Sequence, residues 1–242
     1  MPLSDSSLER LVPDNLRETD VTGRGTLELH IERYRFAARH AASGRALDIA
    51  CGVGYGTRLL ADENPGLSSC LGVDLSRDAV RYAEARYARS GVSFAQDDAL
   101  EFRDAEGFDT IVSLETVEHV SDPQLLIDNL TRMLRPGGVL VASVPTTPSV
   151  DLNPHHLHDF TERSFRRMVR GHPLRERAHL LQVQVVSPTA VLRRSEERLD
   201  DRRPHLLRYY ARHPEACLKR AWTTLRYGFA NRYLTIAWQR CS

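Results

Sequence analysis

One stretch restricts the fold more than any other. Arg45-Ala46-Leu47-Asp48-Ile49-Ala50 reads as a short buried strand, and Cys51-Gly52-Val53-Gly54-Tyr55-Gly56 follows it directly. Thr57-Arg58-Leu59-Leu60-Ala61 then has the composition of a helix start. Strand, glycine turn and helix in this order form the nucleotide-binding edge of an open α/β sheet, because glycine lets the backbone approach a ligand closely. The dinucleotide fingerprint places its third glycine three residues after the second. Here that position is Thr57, with Gly56 one residue early. Asp48 also puts a carboxylate inside a strand that is usually apolar in dehydrogenases. A ligand with a cationic amino-acid end and no pyrophosphate suits such a strand.

S-adenosylmethionine is a ligand of that kind. The segment resembles the first motif of the class I S-adenosylmethionine-dependent methyltransferases, acidic-x-x-x-Gly-x-Gly-x-Gly, matched by Asp48, Gly52, Gly54 and Gly56. The resemblance implies a Rossmann-like α/β fold: a seven-stranded, mostly parallel sheet with helices on both faces, an N-terminal lid helix and a helical insertion before the last strand. It also implies a methyl donor over the glycine turn, contacting Ala50 and Tyr55 as well as the glycines. Asp74, 22 residues beyond Gly52, stands where an acidic residue meets ribose hydroxyls, with Leu75 beside it. In Gln96-Asp97-Asp98-Ala99 the family places a carboxylate that accepts from the adenine amino group. Asp98, followed by the small Ala99, matches that position better than Asp97. A loop aspartate capping its own turn is the structural alternative. Leu114 ends the strand that meets the transferable methyl.

Apolar periodicity gives a helix over Thr26 to Ala42, with Leu27, Ile31, Tyr34 and Ala38 on one face and arginines and Glu32 opposite. As a lid it would bring Tyr34, and also Glu28 and His30, toward the ligand. Strands are expected at Ser69 to Val73, Val92 to Ala95, Phe108 to Leu114, Val139 to Val144, His179 to Ser187 and Tyr233 to Gln239. Helices are expected at Asp78 to Ser90, Gln124 to Leu134 and Thr161 to Arg170. Residues 1–24 carry little periodicity and read as a loosely ordered arm, leaving 25–242 as one domain. The 45 residues from Pro188 to Arg232 are too many for a hairpin and read as a helical insertion, covering the acceptor site or joining two copies as a homodimer.

A formal net charge of +1 provides no electrostatic footprint for nucleic acid or an anionic membrane. The four cysteines have neither C-x-x-C pairing nor zinc spacing, which fits a reducing cytoplasm. No apolar run is long enough to span a bilayer, and Met1 to Leu11 lacks a signal pattern.

The chemistry-bearing residues lie beyond the fourth strand. In Glu115-Thr116-Val117-Glu118-His119, a helical turn would gather Glu115, Glu118 and His119 on one side. So much charge in one place calls for a cation or a substrate. Asn153-Pro154-His155-His156-Leu157-His158-Asp159-Phe160-Thr161 follows the fifth strand, and both segments leave the ligand-binding edge of the sheet. Such an oxygen and nitrogen set suits Mg²⁺ or Mn²⁺. The arrangement resembles two families of metal-dependent methyltransferases, those acting on the terminal ribose of small RNAs and those acting on catechols in quinone biosynthesis. Both have a Glu-x-x-Glu-His turn. The RNA enzymes add a His-x-aromatic-acidic-aromatic-Thr run, against which His158 replaces the first aromatic. The implied metal ligands are Glu115, Glu118, His119 and a loop histidine that lies among His155, His156 and His158, with His156 in the matching place. The remaining histidines, or His119, would serve as base. The His30 to Phe36 helix and the Asn153 to His156 loop also resemble methyltransferases of bacterial glycan and glycosylated-metabolite synthesis.

The expected activity is therefore methyl transfer from S-adenosylmethionine to a hydroxyl of a sugar or oligosaccharide with adjacent hydroxyls, assisted by Mg²⁺ or Mn²⁺. The polar, histidine-rich acceptor segment favours a sugar over a prenylated catechol, and the near-neutral charge counts against RNA.

Overall fold

A computed structural model describes residues 13, 21–185 and 205–241. The elements run, in chain order, α1 (Val21–His40), β1 (Gly44–Ile49), α2 (Tyr55–Glu63), β2 (Leu67–Asp74), α3 (Arg77–Tyr87), β3 (Val92–Gln96) and β4 (Phe108–Leu114). They continue as α4 (Pro123–Met133), β5 (Leu134–Pro145), α5 (Glu162–Met168), β6 (Leu174–Val185), α6 (Leu206–Arg212), α7 (Pro214–Tyr227) and β7 (Ala230–Arg240). The seven strands form one sheet in the order β3-β2-β1-β4-β5-β7-β6. β1 to β5 pair in parallel, and β7 runs antiparallel between β5 and β6.

Strand alternation divides the core in two. Leu47 and Ile49 face a cluster that includes Leu126, Leu130, Phe165 and Trp238. Ala46, Val112 and Leu114 face the other, with Tyr34, Phe36, Leu60 and Ala83. Asp48 shares the second face, turned toward α1 and α2. Side-chain caps start the helices cleanly: Ser76 Oγ accepts from Ala79 N, Asp122 accepts from Leu125 N just before Pro123, and Thr161 forms a capping box with Ser164.

Several boundaries differ from the sequence expectations. β5 begins at Leu134 rather than Val139, because Leu134 pairs with Phe108 and a register shift between Phe108 and Thr110 absorbs the Pro136–Gly138 bend. β6 begins at Leu174, since its alternating face needs only β7 as a partner; the expected end at Ser187 lies outside the described residues. The proposed insertion is helical over 206–227 but gives up its last three residues to β7, and its part from 188 to 204 lies outside the described residues. The same holds for the arm over 1–24, apart from Pro13 and residues 21–24, the latter already in α1. Among the described residues, no helix is long and apolar enough to cross a membrane.

Trp238 is fully buried with its ring 5.3 Å from that of Phe165, joining the last strand to α5. Trp238→Ala is expected to cost about 3–5 kcal/mol in urea unfolding followed by circular dichroism. A loss below about 1 kcal/mol would contradict this packing.

Candidate functional site

The order 3-2-1-4-5 reverses between β1 and β4, and open α/β sheets bind ligands at the carboxyl ends of the strands flanking such a reversal. The glycine turn leaves β1 there, and Glu115 to Val120 leave β4 beside it. Ala50 and Gly52 both have left-handed φ values of 58°, and Gly54 has 84°. A Cβ at Gly52 would project into open space, as a ligand cradle requires. At Gly54 it would meet Ala83 Cβ at 2.5 Å and the Phe94 ring at 2.7 Å, so this glycine serves the close packing of α3 and β3 on the turn. At Gly56 it would strike the Tyr34 ring.

Asp48 lies beneath this turn. Thr57 Oγ1 donates to it at 2.6 Å, and the Tyr34 hydroxyl donates from α1 at 3.2 Å. Burial raises the Asp48 carboxyl to about 7 although both hydrogen bonds oppose the rise, and nearby Asp74 adds to it. Burial and Asp48 together also push the Tyr34 phenol well above its ordinary value, so it remains a donor. Asp74 closes the other side: Oδ2 accepts from Gly52 N at 2.8 Å and Oδ1 from Ser76 N at 2.9 Å. Because Ser76 is the helix cap, the Asp74 carboxylate holds the turn instead. Leu75 is exposed at the tip of β2. Asp97 Oδ1 accepts from Asp98 N and Asp98 Oδ1 from Leu100 N, with Ala99 between them partly buried. These residues fit an adenosyl ligand laid along one edge, with an open glycine cradle, a carboxylate beside it and an apolar residue at the rim.

The second segment does not form the expected helical turn through Glu115. Its φ of 51° is left-handed, which breaks helical continuation, and Glu115 stands outside the group formed by Glu118, His119 and His156. Glu115 Oε1 accepts from Ser143 Oγ at 2.8 Å and faces Arg33 Nη1 at 3.6 Å. Glu118, His119 and His156 do come together, with one ligand atom from each lying within 4.8 Å of the others. Glu118 is fully buried. His119 Nδ1 donates to the His155 carbonyl at 3.1 Å, which makes Nε2 the basic nitrogen. His156 Nδ1 pairs with Ser149 Oγ at 2.7 Å, and the two rings meet edge to face at 4.6 Å. His158 points Nε2 at the Val120 carbonyl, 3.1 Å away. His155 contributes its main chain to the set, through that carbonyl.

Arg33 escapes the sequence reading, which placed the helix arginines opposite the apolar face. It is 1% exposed, donates Nε to Gln182 Oε1 at 2.7 Å and lies over the Tyr233 ring at 4.4 Å. Its spacing to Phe36 and Ala37, three and four residues on, was the available signal. Ser143, Ser149 and Gln182 carried none.

Two outcomes follow. Asp74→Ala is expected to weaken S-adenosylhomocysteine binding by about 1–3 kcal/mol in isothermal titration, and unchanged affinity would contradict its role. Asp48 has a folded-state value above that of an unfolded aspartate. Its contribution is therefore complete below about pH 4 and is lost as pH rises through about 7. Asp48→Asn should thus melt above the parent at pH 8, by a margin that shrinks toward pH 4. A margin independent of pH would remove the burial argument.

Residues 47–142 match the family model described as a methyltransferase domain. A Mycolicibacterium smegmatis protein described as a probable S-adenosylmethionine-dependent methyltransferase is 32% identical over 132 residues, 52% of this chain and 50% of its own. A ubiquinone biosynthesis O-methyltransferase of Methylococcus capsulatus is 34% identical over 117 residues, 46% of this chain and 48% of its own. The chain thus spans about half the length of these relatives. The N-methyltransferase NodS of Bradyrhizobium japonicum, solved with S-adenosylhomocysteine, superimposes with a TM-score of 0.61 at 20% identity, over 93% of this chain and 90% of its own. Residues 47–142 thus match a methyltransferase-domain family, and the sheet order and glycine turn give the chain the Rossmann-like fold seen in class I methyltransferases.

Proposed function

We propose that this chain is an S-adenosylmethionine-dependent O-methyltransferase acting on one of two adjacent hydroxyls of a sugar or oligosaccharide, with a divalent cation at Glu118, His119 and His156. The observation that carries the reading is the convergence of those three side chains from the segments that follow β4 and β5. When substrate oxygens complete the shell, one carboxylate and two imidazoles fit Mn²⁺ better than Mg²⁺, which favours an all-oxygen shell. When bound, such a cation supplies Lewis acidity that lowers the pKa of a hydroxyl, and S-adenosylmethionine supplies the methyl group.

The chain's own residues have separable tasks. The His155 carbonyl fixes the His119 tautomer, and the Ser149 hydroxyl orients the His156 ring. Glu115, held by Ser143 and Arg33, is a neighbour of the cluster that links it to α1. His155 or His158 removes the acceptor proton as general base. The glycine turn holds the donor at the next strand end, so donor and acceptor share one edge. Asn153 and the loop histidines make the acceptor side polar, which supports a sugar. The ubiquinone-biosynthesis relatives support a catechol as the second reading.

Methyl transfer from labelled donor should be measured on glycosides with a vicinal diol, their deoxy analogues and catechols, with and without EDTA. A diol glycoside is expected to react, and its deoxy analogue at least about 10²-fold more slowly, because the site's polar groups lose a partner. EDTA should abolish turnover while S-adenosylhomocysteine still binds, and His156→Ala should reproduce that state. Preferred turnover of catechol would replace the acceptor class. A metal-free enzyme working at full rate would overturn the metal assignment.

A further inference from the structure

The histidine loop is held by its own hydrogen bonds and by contacts from the helices before β7. Ser149 is its hub: the side chain pairs with His156 Nδ1, and its carbonyl accepts from Leu152 N and Asn153 N. Asn153 Oδ1 in turn accepts from His155 N, whose own carbonyl orients His119. Both histidines of the cluster therefore depend on the backbone path from Pro148 to Asp159. Two carboxylates anchor that path. Asp159 Oδ1 accepts from Ser149 N at 2.7 Å and Val150 N at 3.1 Å. The Asp151 side chain is 3% exposed.

A buried carboxylate must be paired, and the partners here come from the helices before β7. Arg220 of α7 grips Asp151 with two bonds, Nη2 to Oδ1 at 2.6 Å and Nε to Oδ2 at 2.9 Å, and Nη2 also reaches the Pro148 carbonyl. The Tyr210 hydroxyl of α6 donates to the same Oδ2. Lys219 donates to Asp159 Oδ2 at 2.6 Å. Burial raises the Asp159 carboxyl, but Lys219 and the two backbone donors outweigh it and hold the group below its ordinary value.

We propose that Arg220 is a positioning residue: by neutralising Asp151 it clamps α7 onto the 148–159 loop and keeps His156 and the His155 carbonyl in register with Glu118 and His119. This rests on the metal reading above for its catalytic consequence, but not for the clamp itself. Without the guanidinium, Asp151 is a buried charge lacking its bidentate partner, and the loop opens to hydrate it. The part of the segment before β7 that carries α6 and α7 is then neither a cover nor a subunit contact alone. It sets the geometry of the acceptor side.

The test compares the parent with Arg220→Ala, Arg220→Lys and Asp151→Asn, each confirmed as folded by circular dichroism. Amide exchange of residues 149–158 should rise at least tenfold in Arg220→Ala and recover in part in Arg220→Lys, while exchange in β1 to β4 is unchanged. Asp151→Asn, which keeps the shape and removes the charge, should give a smaller rise. Mn²⁺ affinity measured by electron paramagnetic resonance should fall at least tenfold in Arg220→Ala, with S-adenosylhomocysteine affinity unaltered and kcat reduced more than KM changes. Parent-like loop exchange in a folded Arg220→Ala overturns the proposal. A parent that binds no Mn²⁺ refutes the metal reading instead, and the exchange result then still decides the clamp.

Discussion

The Asp48 carboxylate is the constraint around which the molecule is arranged. It sits in the middle of the sheet, on a strand with neighbours on both sides, and it faces the helices and not the solvent. A charge in such a place needs donors, and Thr57 from α2 and Tyr34 from α1 supply them. Meeting that requirement draws α2 in directly behind the glycine turn and lays Tyr34 over Gly56, where no side chain could fit. One buried acid thus ties together the strand, the turn and the first helix.

The ligand edge follows from the same arrangement. With β1 fixed, Asp74 at the end of β2 reaches across to Gly52 N and sets the turn's far side. β4 lies on the other flank, and the residue directly after it, Glu115, adopts a left-handed conformation that a non-glycine residue holds only when its surroundings enforce it. Ser143 and Arg33 provide that enforcement. The change of direction turns the following residues toward the loop after β5, so Glu118 and His119 meet His156. The glycine turn and the cluster of Glu118, His119 and His156 are therefore built from successive strand ends, each shaped by a polar contact from a neighbouring element.

Much of the central sheet was legible because buried strands announce themselves locally. Phe108 to Leu114 and Val92 to Ala95 are short apolar runs bounded by Gly107, Gly91 and polar turns, and the structure follows the first residue for residue and extends the second by Gln96. The edge strand β6 begins five residues before the expected His179, since an exposed alternating pattern with arginine, glutamate and histidine resembles a solvated segment. The insertion of β7 between β5 and β6 is a long-range pairing that no window of sequence contains. At the site, the spacing of Glu115, Glu118 and His119 suggested a helix, and only a backbone angle separates Glu115 from the other two. Arg33 and Arg220 were hidden for a related reason: charged residues read as surface until their partners, the partly buried Glu115 and the buried Asp151, are known.

In the function we propose, a divalent cation at Glu118, His119 and His156 lies beside the methyl group of a donor held on the glycine turn. Paramagnetic relaxation tests it directly. With ¹³C-methyl-labelled S-adenosylmethionine bound, Mn²⁺ should broaden the methyl resonance strongly in the parent, and His156→Ala should largely remove the effect while the donor remains bound. A methyl resonance unchanged by saturating Mn²⁺ would contradict the account, leaving Glu118, His119 and His156 as a polar cluster without a cation.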